Sequence, residues 1–161
     1  MQLYWISFAR NAKRNSLICI DASLLLWTLV PAPMSAQAIA LLASWRRQRV
    51  QLVAPALLAF EVSSVLRRLV HRKELTPEEG EEAFADYLRM DIQLSHRRSI
   101  FPLAWKMAQQ FNQPRTYDMA YLALAQLHQC PFWTADKRLY NSTSQTLPWV
   151  NWIGAVEGKV D

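Results

Sequence analysis

The sequence predicts an α/β fold, a largely parallel central sheet with helices packed against it. Three observations carry this. Short apolar runs that read as buried strands alternate with longer segments whose apolar residues recur at helical spacing. No repeat, low-complexity stretch or linker interrupts that alternation between residues 17 and 153. The chain of 161 residues, 52% apolar and 19% charged, suits one domain with a single substantial core.

The elements follow in order. Residues 17 to 20 (LICI) form a short buried strand, residues 23 to 29 a first helix, and residues 35 to 47 an amphipathic helix set off by Pro31 and Pro33. Gln51-Leu52-Val53 is a second strand. Pro55 opens a long helix to about Arg72, with Leu58, Val62, Val65, Leu66 and Leu69 at helical spacing. Thr76-Pro77-Glu78-Glu79 starts the next helix, to about Arg89: Thr at the N-cap, Pro at N1 and Glu at N3 of a capping box. Asp91 to Leu94 alternates like a half-exposed strand, and a helix over 99 to 111 is broken by Asn112-Gln113-Pro114. Met119 to Ala125 is apolar nearly all round, which marks a helix packed on more than one side. Phe132 to Thr134 is a strand, Asp136 to Tyr140 a short helix, and Trp149 to Ile153 a last strand.

Composition excludes several classes. The formal charge of +5 owes three units to Arg10, Lys13 and Arg14 in an acid-free leader, so the remainder carries only +2, a mild hint of nucleic acid. Cys19 and Cys130 belong to no CxxC or Cys/His cluster and read as buried free thiols in a reducing compartment, here the cytoplasm. The leader and the run that follows it imitate a secretory signal. Asp21 breaks the apolar region, at an insertion cost of roughly 2.5 to 3.5 kcal/mol, and cleavage would remove the first strand. No apolar run approaches the ~20 residues of a membrane span. Glycine occurs only at 80, 154 and 158, so there is no phosphate-binding loop or dinucleotide fingerprint, and no GxSxG elbow is present. His71, His96 and His128 lack zinc-ligand spacing.

The acids are more informative. Asp21 ends the first strand and Asp136 follows a later one; Asp118 lies in the first turn of the buried helix and Glu61 in the second turn of its own. In this topology strand C-termini and helix N-termini share one edge, the edge where ligands bind. Each acid alone has a structural explanation. Asp118 and Asp136 suit caps or dipole partners, and Glu61 suits an ion pair with Arg68 two turns on. Four carboxylates at one rim would repel and raise one another's pKa values unless protons or a cation neutralised them, and a divalent metal does so with oxygen ligands. Short basic runs at Trp45 to Arg49 and His96 to Arg98 suit solvated faces or a phosphate backbone; Lys137 and Arg138 stand out because they adjoin Asp136.

Four segments carry a resemblance: Ile18-Cys19-Ile20-Asp21-Ala22-Ser23, Phe60 to Leu66 (FEVSSVL), Thr116 to Ala125 (TYDMAYLALA) and Thr134 to Leu139 (TADKRL). In order and spacing, with intervals of 40, 57 and 18 residues between their acids, they resemble the signature segments of PIN-domain ribonucleases, most closely the VapC-type toxins. The resemblance covers about residues 17 to 153. Ser64 departs from it, standing where many relatives have Asn, and the first 16 residues have no counterpart.

The resemblance implies a three-layer PIN-like fold and a metal-dependent endoribonuclease, the toxin of a toxin–antitoxin pair. Asp21, Glu61, Asp118 and Asp136 would bind Mg²⁺ or Mn²⁺ and serve catalysis, Ser23 and Thr134 would be polar helpers, and Lys137 and Arg138 would contact RNA. A VapB-type antitoxin and a homodimeric assembly are the expected partners. The expected chemistry is hydrolysis by an in-line water, with metal stabilising charge on the phosphate. The rival readings are a non-catalytic PIN-like RNA-binding module and an aspartate-dependent phosphatase with Asp21 as nucleophile; Ser23 stands where that chemistry usually wants a second Asp. The domain organisation expected is a leader over residues 1 to 16, an arm or a start annotated too early, then a nuclease domain over 17 to 153 and a short tail over 154 to 161.

Overall fold

The computed structural model describes residues 16 to 155, so nearly all of the leader and most of the tail lie outside the described residues. Five strands, β1 (Leu17–Ile20), β2 (Gln51–Pro55), β3 (Ile92–Ser95), β4 (Phe132–Thr134) and β5 (Val150–Trp152), form one sheet in the order β3-β2-β1-β4-β5. Every pairing is parallel. Among the described residues seven α-helices flank it: α1 (Ala22–Leu29), α2 (Ser35–Arg47), α3 (Leu57–His71), α4 (Pro77–Arg89), α5 (Ile100–Gln110), α6 (Tyr117–His128) and α7 (Lys137–Thr143). The order places β1 at the centre, with the chain leaving it toward β2 on one side and returning to β4 on the other. This is the topological switch point, where the carboxyl ends of neighbouring strands open a crevice.

The local chemistry explains the elements. Cys19 and Ile20 are fully buried, as expected of a strand covered on both faces. On α4 the capping box forms: Glu79 N donates to Thr76 Oγ1 at 3.1 Å and Thr76 N to Glu79 Oε2 at 2.7 Å. On α6, Met119 and Tyr121 to Ala125 are all buried, and each large apolar side chain so covered contributes roughly 1.5–3 kcal/mol. Gly80 lets α4 approach α3, since a Cβ there would stand 2.3 Å from Val70 Cγ2.

Several sequence expectations are corrected. Pro55 does not open α3; it ends β2, paired with Ser95. The β1 ladder stops at Cys19 and Val53, so Pro55 lies past it, where a missing N–H is tolerated. Asp136 caps α7 rather than beginning it, and that helix runs on to Thr143. The third strand is shifted by one residue to Ile92–Ser95. No Glu61–Arg68 ion pair forms among the described residues. No helix among them is long and apolar enough to cross a membrane.

Candidate active site

Asp21 is the anchor. It takes extended backbone (φ −101°, ψ 173°) at the N-cap of α1, the position where a short acid satisfies free helix N–H groups. Its Oδ1 accepts from Leu24 N at 2.9 Å and from Ser23 Oγ at 2.8 Å, and its Oδ2 accepts from Thr134 Oγ1 at 2.5 Å. Ser23 Oγ accepts in turn from Ala135 N at 3.0 Å, and Thr134 Oγ1 from Asp136 N at 2.8 Å. The exits of β1 and β4 are thereby strapped together through one carboxylate and two hydroxyls. Ser23 and Thr134 thus both donate to Asp21.

Asp136 caps α7, accepting from Arg138 N at 2.8 Å and Leu139 N at 3.3 Å, with Arg138 Nη2 3.5 Å from Oδ2. Lys137 turns away, its Nζ 5.0 Å from the centre of the Trp152 ring. Asp118 stands exposed in the first turn of α6. Glu61, half-buried on α3, accepts a short hydrogen bond at Oε2 from the hydroxyl of Tyr121. Asp21, Ser23, Glu61, Asp118 and Asp136 line one cleft of about 480 Å³. Leu26, Leu57, Phe60, Val65 and Tyr117 supply apolar walls, and Ser64 and Tyr121 further hydroxyls.

Electrostatics distinguishes the acids. Loss of water around the carboxylate, nearly complete at Asp21 and only partial at Glu61 and at Asp118 on the cleft's rim, raises all three more than mutual repulsion does. Asp21, 6% exposed, is raised to about 6, although the bonds from Thr134, Leu24 and Ser23 oppose the shift. Repulsion is the smaller contribution and runs through Asp118. Its charge raises Asp21 and Glu61, Asp136 raises Asp118 in turn, and Arg138 offsets part of that.

Among the described residues, no group of three or more His, Cys, Asp or Glu side chains is arranged to hold a metal ion. An ion bound in this cleft would take fewer than three of these carboxylates directly and fill its remaining positions with water. A magnesium-like cation suits that, since it keeps several waters and takes one or two carboxylates plus substrate phosphate. The donors here are oxygen only, and Asp21 Oδ2, with a single hydrogen bond accepted, retains a lone pair. The residues fit such an ion.

Tyr121 was hidden in an apolar run and read as core, which it also is at 1% exposure. Its position three residues after Asp118 puts both on one face of α6, the signal that could have found it.

Comparison with known proteins agrees with this geometry. A family profile described as "PIN domain" matches residues 20–149. The chain is 30% identical over 132 residues to "VapC ribonuclease Mb0985" of Mycobacterium bovis and to "Ribonuclease VapC9" of Mycobacterium tuberculosis, covering 82% of this chain and 95% of each relative. Among solved structures it resembles Mycobacterium tuberculosis VapC20, described as a sarcin-ricin loop cleaving toxin. The TM-score is 0.60 at 14% identity, over 78% of this chain and 95% of that one. It also resembles a toxin–antitoxin complex from Klebsiella pneumoniae, with TM-score 0.58 at 17% identity, over 83% and 95%.

Proposed function

The chain belongs to the PIN-domain family, among its VapC-type ribonucleases, and from that premise we propose that it is a metal-dependent endoribonuclease, the toxin of a toxin–antitoxin pair. The observation that carries the reading is the gathering of Asp21, Glu61, Asp118 and Asp136, from four separate segments, along one cleft at the switch point of the sheet. The names of its curated relatives support ribonuclease chemistry, and the toxin–antitoxin complex among its structural neighbours supports an antitoxin partner.

Asp21 is the fixed donor, because three hydrogen bonds hold its carboxylate before any ligand arrives. Asp118 and Asp136, which line the same cleft, would act on Mg²⁺ or Mn²⁺ mainly through its coordinated waters. When bound, such an ion supplies Lewis acidity at the scissile phosphate and lowers the pKa of a coordinated water. Tyr121 fixes Oε2 of Glu61, leaving Oε1 to orient the attacking water and accept its proton. Arg138, already against Asp136, would meet a phosphate of the substrate, and Lys137, which lies over the Trp152 ring, would have to turn from it to join.

The phosphatase reading lacks its second acid, since Ser23 stands two residues after Asp21 and donates its hydroxyl to that carboxylate. The test is cleavage of single-stranded RNA by the purified chain in Mn²⁺ and in EDTA. Cutting that needs the metal is expected. Binding without cutting in either buffer would favour the non-catalytic module, and phosphate release from small monoesters would favour the phosphatase.

A further inference from the structure

The acid cleft continues into a second groove along the outer face of α3, lined by Ser63, Ser64, Arg67, Arg68 and His71, with Ser64 belonging to both. At 100° per residue, Phe60, Ser64, Arg67, Arg68 and His71 fall on one stripe. The buried residues Leu58, Val62 and Leu66 lie opposite, and Glu61 at the stripe's edge turns into the cleft. The stripe is roughly 16 Å long by helical rise.

Two features set it apart from an ordinary solvated face. Phe60, where the stripe meets the cleft, is 74% exposed and belongs with Tyr117 to the cleft's apolar wall, so its ring is open to a ligand passing from cleft to groove. Arg67, Arg68 and His71 make no ion pair or side-chain hydrogen bond among the described residues, and unlike the similarly unpaired Arg46, Arg97 and Arg115 they line a groove that shares Ser64 with the cleft. An exposed ring followed by unpartnered guanidiniums matches the pattern that binds a single nucleic-acid strand: bases stack on the aromatic and phosphates follow the cations.

The geometry points to the outer face of α3 as the track along which a single-stranded RNA leaves the cleft, with Phe60 stacking the base next to the cleft and Arg67 and Arg68 holding phosphates beyond it. An acidic protein segment could use the two arginines but would leave Phe60 without a role. The track rests on the ribonuclease reading only for the chemistry at its end, not for binding.

The experiment measures fluorescence anisotropy of a short labelled single-stranded RNA in EDTA over a salt series. The full-length chain is compared with its Arg67→Gln/Arg68→Gln and Phe60→Ala variants, each checked for unchanged melting. Single-strand affinity falls with salt at about 0.7 logarithmic units per phosphate neutralised, so the double variant should bind more weakly with a slope shallower by about 1.4. Phe60→Ala should bind about fivefold or more weakly with its slope unchanged. Unaltered affinity and slope in the double variant, no RNA binding by the wild type, or tighter binding of a labelled polyglutamate peptide than of RNA would overturn the track. Failure of the ribonuclease reading shows separately, as bound RNA left uncut once Mn²⁺ is restored.

Discussion

Thr134 Oγ1 lies 2.5 Å from Asp21 Oδ2, a contact between residues 113 apart in sequence that joins the ends of two adjacent parallel strands. Thr134 is fully buried, and its hydroxyl also receives the N–H of Asp136, so one side chain orients two of the four acids. Thr134→Val keeps the shape and removes both bonds, leaving a buried carboxylate and an N–H short of a partner. It should cost about 1–3 kcal/mol in urea unfolding, more at pH 8 than at pH 5, with Thr134→Ser recovering most of the loss. No loss from Thr134→Val would mean that the hydroxyl does not matter, and an equal loss from both substitutions would mean that the methyl matters as much as the hydroxyl.

Stability should depend on pH through Asp21. Its folded pKa, about 6, lies above the ordinary 3.8, so between those values the native state holds a proton that the unfolded chain has released. The associated stability is fully present below about 3.8 and is lost as pH rises through 6, about 3 kcal/mol in all at ~1.36 kcal/mol per unit. Asp21→Asn removes this titration. In EDTA the variant should gain on the wild type as pH rises from 4.5 to 8, measured by urea midpoints; parallel curves would contradict it. At neutral pH Mn²⁺ should stabilise the wild type, by about 2.7 kcal/mol at a hundred times its dissociation constant, and the Asn variant far less.

The approach of α3 to α4 makes a separate prediction. Gly80→Ala would ordinarily favour a helix by about 1 kcal/mol, but the new methyl meets Val70 Cγ2. Overpacking of that kind costs about 1–3 kcal/mol, so thermal melts should show net destabilisation. Adding Val70→Ala should relieve it. A more stable Gly80→Ala single variant would show that Val70 turns aside freely.

Much of this was legible in the sequence because its local signals agree with the fold. The capping box at Thr76, the helix over 35 to 47 and the buried run at Met119 to Ala125 each state their own structure. The convergence of Asp21, Glu61, Asp118 and Asp136 was also legible, since a parallel sheet sends strand exits and helix starts to one edge. Pro55 misled because proline suits both a helix start and a strand end, and only the shorter β1 ladder decides between them. Glu61 misled because spacing shows the face a side chain occupies, not which helix supplies its partner; Tyr121 lies 60 residues away. The α3 stripe was hidden for a related reason. Arg67 and Arg68 matter through lining a groove that meets the cleft at Ser64, a juxtaposition that sequence order does not reveal.

Asp118 interacts electrostatically with Asp21, Glu61 and Asp136, so the account turns most directly on it. The measurement is cleavage of a labelled single-stranded RNA in Mn²⁺ by wild type and Asp118→Asn, purified side by side and melting alike. Because Asp118 is exposed and its side chain accepts no hydrogen bond from elsewhere in the described chain, the exchange should leave the fold intact. Metal-dependent cutting by the wild type, lowered at least a hundredfold in the variant (about 2.7 kcal/mol of transition-state stabilisation), is the predicted result. Equal cutting by both proteins would contradict the assignment of this cleft as the nuclease site.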